Sequence, residues 1–272
     1  MNLLIDLVKE AGIVDIIGDY KKRYEWVDFI KSQGNNWSRI SRHKGLSEDF
    51  IREFRFNINW RLISEHQILS EEFLEEFFNI MPASVVLEHQ EVTEDFIRRY
   101  ISTIYKYNCW WQISRCCVVS EDFIREYQDR IDWRCISIKQ NLSEDFIREF
   151  QGQIDWGFIS KGASSLSESF IKEFQDRIVW TSISYSQSLS ESFIKEFQDR
   201  IDWTSISYSQ SLSEDFIREY QDRIDWGCIS IYQELSEEFI KEFQDRVYWE
   251  YILSNQKLSE DFIKEFNHKN NA

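Results

Sequence analysis

The string LSEDFIRE returns through most of the chain at a nearly constant interval. It begins at Leu46, Leu142 and Leu212, and close variants begin at Leu69, Val92, Val119, Leu166, Leu189, Leu235 and Leu258. Most steps are 23 residues long and two are longer. A fixed period of this length is typical of repeat proteins, in which each unit stacks on its neighbours. The full unit reads LSEDFIREFQDRIDWxxISxxQx.

Each unit contains two helix starts. In the first, Leu142 precedes a capping Ser143, and Ile147 stands where a hydrophobic staple closes onto Leu142. In the second, Ile131 precedes a capping Asp132 in the same way. The pattern predicts a helix of about 11 residues, a sharp turn and a helix of about 6 to 8 residues.

The apolar spacing of the unit excludes strands. Phe146, Ile147 and Phe150 fall on one helical stripe, and Trp156 and Ile159 share a face of the shorter helix. No unit contains the LxxLxLxxN strand of a leucine-rich repeat. We therefore expect an all-α fold, a right-handed or superhelical α-solenoid of about nine 23-residue two-helix repeats with terminal caps.

The ends and one internal region depart from the repeat. Residues 1–45 are expected to form an N-terminal helical cap with a partial repeat, residues 46–257 nine repeats, and residues 258–272 a capping helix with the polar tail HKNNA. Ala83 replaces a tryptophan after Pro82, and four extra residues between Thr93 and Trp110 are expected to lengthen a helix. These irregularities predict a kink or groove around residues 80–118, or repeat degeneration with compensating packing.

The net charge of −16 argues against surfaces that bind phosphate or anionic membranes. Five cysteines, an odd number, favour a reducing intracellular compartment over a disulfide framework. Neither a signal peptide nor a membrane span is indicated. The carboxylates recur in every unit, and glycine-rich phosphate loops and nucleophile elbows are absent from the sequence, so the chain is not expected to be an enzyme or to need a cofactor.

Some polar residues recur at fixed places in the unit. His43, His66 and His89, followed by Cys116, occupy one position in successive units, but a spacing of about 8 to 10 Å is too wide for ligands of one metal ion. No metal site is therefore expected. A recurring glutamine before each LSE start is expected to hydrogen-bond loop backbone between units, at Gln140, Gln187, Gln210, Gln233 and Gln256.

The repeat varies chiefly at the two positions after each tryptophan and the two after the IS pair. Solenoids concentrate variation on the face that binds a partner. The candidate partner-binding residues are His43, Arg61, His66, His89, Phe158, Tyr185, Tyr208, Tyr232 and Tyr251.

The motif LSEDFIREFQDRIDWxxIS, run in tandem over residues 46–272, resembles the short helical-repeat proteins of unassigned role found in giant DNA viruses of amoebae and in some phages. The resemblance implies a viral protein acting inside a host cell, in the host cytoplasm, and it implies no reaction.

The leading hypothesis is a noncatalytic scaffold for protein–protein interaction, without direct contact to nucleic acid or membrane. An alternative is an acidic nucleic-acid mimic that sequesters a nucleic-acid-binding protein, because each unit carries about three net negative charges at regular spacing. A third class, an enzyme with a site in the irregular region, would need perturbed carboxylates there. The identity of the partner and the oligomeric state are not predicted.

Overall fold

The computed structural model describes the backbone of residues 13–266 and the side chains from Lys22 to Phe266, apart from that of Ala163. Every regular element in this range is a helix, and the repeated helix pairs pack on their neighbours as an α-solenoid. The chain forms two compact units, the first ending at Asp132 and the second beginning at Trp133. The tail HKNNA lies outside the described residues.

Two kinds of helix alternate. Helices of the first kind are capped by serine, or by Thr93 in one case, and we call them the serine-capped helices. They are Glu48–Glu53, Glu71–Phe77, Glu94–Arg99, Glu121–Glu126, Glu144–Glu149, Glu168–Glu173, Glu191–Glu196, Glu214–Glu219, Glu237–Glu242 and Glu260–Phe266. The tryptophan helices are Trp37–Arg42, Trp60–His66, Ala83–His89, Trp110–Cys116, Trp133–Lys139, Trp156–Phe158 with its continuation Ile159–Ala163, Trp180–Ser186, Trp203–Ser209, Trp226–Tyr232 and Trp249–Asn255. Two further helices are Ile13–Ser32 and Ile101–Tyr107.

The serine-capped helices begin as the sequence predicts and end earlier. The Oγ of Ser213 accepts a hydrogen bond from the Phe216 N–H at 3.2 Å. The helix then stops at Glu219, because Tyr220 leaves the helical region at φ −110°, and its carbonyl accepts from Arg223 N–H and Ile224 N–H in a turn. The expected helix of about 11 residues is therefore wrong. Ile224 still reaches the core, at 8% exposure, from the turn.

Neighbouring repeats bury their aromatic rings against one another. The ring of Trp203 lies 6.3 Å from that of Phe216 and 5.0 Å from that of Tyr220, which belong to the following repeat. Phe216 is 1% exposed and Ile217 is fully buried. Because most ring pairs are covered by a tryptophan from another repeat, the core exists only when repeats stack, as the sequence predicts.

The N-terminal helix Ile13–Ser32 covers the first serine-capped helix of the first unit. Trp26 lies 5.5 Å from Phe50 and 6.1 Å from Phe54, and Phe29 lies 5.9 Å from Phe50. These are the contacts that a preceding repeat would otherwise supply.

The repeat without a tryptophan is repacked by a different residue. Phe78, 1% exposed, lies 5.0 Å from Phe96 and 4.6 Å from Tyr100, the aromatic pair that a tryptophan at position 83 would contact. Ala83 is itself buried. The missing ring is thus replaced by the residue that follows the helix Glu71–Phe77, which is the compensating packing that the sequence left open.

The four extra residues were expected to lengthen a helix, and this expectation is wrong. The chain leaves the helical region at Tyr100, with φ −103°, and the separate helix Ile101–Tyr107 follows. That helix ends at Asn108 in the left-handed conformation, with φ 52°. Tyr100 breaks the helix at the position where Tyr220 breaks its own, so the insertion adds an element after the usual stop.

Among the described helices, none has the length and apolar character that crossing a bilayer requires.

Candidate interaction surface

In most repeats, a largely buried glutamine bonds to the repeat before it. The Oε1 of Gln210 accepts from Leu189 N–H at 2.9 Å, and its Nε2 donates to the carbonyls of Ser184 and Gln187 at 3.2 and 2.8 Å. The same bonding, to the leucine N–H that begins the glutamine's own repeat and to a carbonyl of the repeat before, recurs at Gln67, Gln90, Gln187, Gln233 and Gln256. The predicted bonding to loop backbone between repeats is confirmed for Gln187, Gln210, Gln233 and Gln256.

A buried serine makes a second link between repeats. Ser207 is fully buried, its hydroxyl donates to the Trp203 carbonyl at 2.7 Å, and the N–H of Asp225 in the next repeat donates to it at 2.9 Å. The link recurs at Ser41, Ser114, Ser137, Ser160, Ser184 and Ser230. At Pro82, which has no N–H, the link cannot form.

The first glutamate of most of the serine-capped helices reaches the next repeat, a role the sequence analysis missed. The N–H of Ser259 donates to the Glu237 carboxylate at 2.5 Å and lowers the pKa of that carboxyl. Burial raises the pKa of Glu94, yet bonds from Ser120 and Arg98 bring it below its usual value. The sequence shows a glutamate at this position that does not vary. Because the helix dipole also favours a negative charge in the first turn, the sequence alone did not indicate a contact with the next repeat.

Cations on the serine-capped helices are also engaged with the chain. Arg218 lies 2.9 Å from Glu242 of the next repeat and 5.0 Å from the ring of Phe239. Lys241 repeats the pattern with Glu265 and Phe262. Equivalent ion pairs join Arg52, Arg98, Arg148, Lys172 and Lys195 to the following repeat.

On each tryptophan helix, the variable positions lie together on the side that faces away from the core. They stand one, two, five and six residues after the residue that begins the helix, and at 100° per residue they fall within an arc of about 140°. The isoleucine and serine that face the core lie on the opposite side. We call these forty positions, four on each of the ten described tryptophan helices, the outer face.

The outer face differs in charge from the rest of the chain. It carries seven Lys or Arg residues and three Glu residues, a net charge of +4, whereas the whole chain has −16 and the remaining positions therefore −20. The seven cations are all exposed, and within the described residues none forms an ion pair. They are Arg39, Arg42, Arg61, Arg115, Arg134, Lys139 and Lys161.

In the second unit, the outer face brings three candidate residues into contact. The rings of Tyr185 and Tyr208 lie 5.6 Å apart, and those of Tyr208 and Tyr232 lie 4.4 Å apart. The three side chains, which we call the tyrosine row, are 56%, 41% and 50% exposed. Tyr251 stacks instead on Tyr248 at 6.0 Å.

Phe158 begins the same surface. Its half-buried ring lies 5.5 Å from the Arg134 guanidinium and 5.3 Å from the Lys161 ammonium. Lys161 also lines a surface cavity of about 460 Å³ with Tyr185 and with residues of the helices that begin at Trp180 and Trp203. The two basic groups, the phenyl ring and the tyrosine row thus follow one another along the outer face.

In the first unit, the histidine candidates are dispersed. His43 packs its ring on Phe29 at 4.8 Å, His66 is half-buried and His89 is exposed. Arg61 lines a surface cavity of about 570 Å³ beside Pro82 and Tyr107, in the irregular region where a groove was expected.

Two cysteines of the irregular region are shielded. Burial raises the pKa of the Cys117 thiol to about 12, and it raises that of Cys109. No group of three or more His, Cys, Asp or Glu side chains among the described residues has an arrangement suited to a metal ion.

The chain matches no protein-family model, and comparison with curated proteins and with solved structures gave no match. The similarity to viral helical-repeat proteins stays an expectation from the sequence.

Proposed function

We propose that the chain is a noncatalytic scaffold that binds a protein partner through the outer face of its tryptophan helices. One contrast supports this proposal. The recurring glutamine, serine, glutamate and cation positions bond one repeat to the next, whereas the outer-face positions differ between repeats and most are exposed. The outer face supplies few of these bonds, such as those of Ser186 and Ser209 to the preceding repeat, so most of its residues can change to suit a partner.

The candidate residues divide between the two units. In the second unit, aromatic contact area is offered by Phe158, Tyr185, Tyr208, Tyr232 and Tyr251, and tyrosine is enriched in protein interfaces because it combines a large ring with a polar tip. In the first unit, the candidates are His43, Arg61, His66 and His89. A viral origin would place the partner in the host cell.

The test is affinity capture from host cells with two variants of equal size. One changes Tyr185, Tyr208 and Tyr232 to alanine, and the control changes Tyr24, Phe56 and Ile68, which are large exposed side chains off the outer face. We expect the tyrosine-row variant to lose proteins that the control and the intact chain recover, with unchanged circular dichroism. Equal recovery by both variants would count against the outer face.

A second candidate function, an acidic nucleic-acid mimic, is favoured by the net charge of −20 outside the outer face. A mimic would bind a nucleic-acid-binding protein through many charge contacts, so affinity should fall steeply with salt. Binding that is insensitive to salt, or that is lost when the tyrosine row is changed, would favour the scaffold.

A further inference from the structure

The outer face of the second unit is divided into a basic part and an aromatic part. Arg134, Lys139 and Lys161 lie on its first two tryptophan helices, and these exposed cations form no ion pair within the described residues. From Thr181 to Asn255, the outer face carries no Lys or Arg and one acidic residue, Glu250. Phe158 lies beside two of the cations, and the tyrosine row follows.

We propose that this surface binds an extended acidic peptide of a partner protein. The carboxylates of this peptide lie against Arg134, Lys139 and Lys161, and an apolar, proline-containing stretch of the same peptide lies along the tyrosine row. The inference rests on the proposed function and names the partner's chemistry. Charge complementarity supports the proposal. Within the described part of the chain, these three cations have no ion pair with its carboxylates, so they can bind a partner's carboxylates without first breaking an internal ion pair.

The apolar stretch follows from the shape of the aromatic part. Three adjoining, half-exposed tyrosine rings offer a continuous apolar surface edged by hydroxyls, the kind of lining that binds extended proline-rich segments. The helices beginning at Trp133 and Trp226 are four steps apart, or about 32 to 40 Å at the usual helix spacing. An extended peptide of about 12 residues covers that distance.

A nucleic acid fits the same surface poorly. Its phosphates would run past the tyrosine row without a cation on the outer face to neutralise them, although each nucleotide carries a charge. The rings of Tyr208 and Tyr232 already contact each other at 4.4 Å, so a base cannot enter between them. A second copy of the chain fits poorly because many of its glutamates are bonded to its own backbone and cations.

The experiment measures fluorescence anisotropy of labelled probes with the full chain. The main probe is a peptide with a glutamate block followed by alternating proline and leucine, and the matched probe has lysines in the block. The test variant combines Arg134→Glu, Lys139→Glu and Lys161→Glu. The control variant combines Lys31→Glu, Lys44→Glu and Lys257→Glu, exposed lysines off the outer face that change the net charge equally.

We expect the acidic peptide to bind the intact chain and the control, and to lose at least about tenfold in affinity with the test variant. Changing the tyrosine row to alanine should weaken it as well. Circular dichroism checks that the variants fold. Equal binding of the lysine probe, or equal loss with both charge variants, would overturn the proposal. So would tighter binding of a single-stranded oligonucleotide, or self-association abolished by the test variant.

Failure of this inference can be separated from failure of the proposed function. If acidic peptides do not bind while the tyrosine-row variant still loses its cellular partner, the acidic partner is wrong and the scaffold stands. If neither assay responds to the outer face, both proposals fail.

Discussion

A few buried polar side chains join the repeats, and Gln210 is typical of them. It is 6% exposed, and its amide bonds the Leu189 N–H at the start of its own repeat and the carbonyls of Ser184 and Gln187 in the preceding repeat. Buried amides and carbonyls that lose such partners keep their desolvation cost. The glutamine therefore fixes the separation of neighbouring loops as well as adding to stability.

Replacing Gln210 with alanine should lower the free energy of unfolding by about 1 to 3 kcal/mol, because the Leu189 N–H and the Gln187 carbonyl lose their side-chain partner in a dry site. Urea unfolding followed by circular dichroism measures the change. Gln151→Ala is the control, since that exposed side chain bonds only the Arg148 carbonyl, at 3.3 Å. Equal effects of the two substitutions would show that the buried glutamine contributes no more to stability than an exposed one.

At the scale of single elements, the irregular repeat shows how one position can replace another. Phe78 fills the place of the missing tryptophan against Phe96 and Tyr100 while Ala83 lies buried nearby. The two positions should therefore depend on each other, because each ring fits only if the other is absent.

A double-mutant cycle tests this dependence. Phe78→Ala should cost about 3 to 5 kcal/mol through the cavity it leaves. Ala83→Trp alone should cost about 1 to 3 kcal/mol through overpacking. The double variant should be more stable than the sum of these costs implies, because the new tryptophan occupies the space that Phe78 vacates. Additive costs in urea unfolding would contradict the replacement.

The elements also show how far the sequence could be interpreted. Caps such as Ser213 and links such as Gln210 were predictable, because each recurs beside an interpretable partner. The early end of the serine-capped helices was not predictable. Phe150 and Ile154 are spaced as in a helix, although the chain reaches Ile154 through a turn. Phe78 was missed because its replacement role depends on a contact across elements. The contrast in charge between the outer face and the rest needed the helix boundaries.

Across the whole molecule, charged groups act mainly between repeats. Glutamates in both compact units bind the N–H that begins the next serine-capped helix, as Glu94 and Glu237 do. A bond of this kind needs an ionised carboxylate, which accepts the hydrogen bond better than a carboxylic acid does. Acid should therefore weaken many repeat junctions together.

The direction of the pH effect follows from the lowered pKa of Glu237. Because the folded pKa lies below the ordinary value of 4.5, the unfolded chain binds more protons near that pH. Stability from this bond is fully present above 4.5 and is lost as the pH falls through the folded pKa. We expect the melting temperature to fall on acidification, and Glu237→Gln to reduce that dependence. Glu238→Gln, at the exposed neighbouring position, is the control. If the melting temperatures of the intact chain and of Glu237→Gln depend equally on pH, the junction glutamate is not the cause of that dependence.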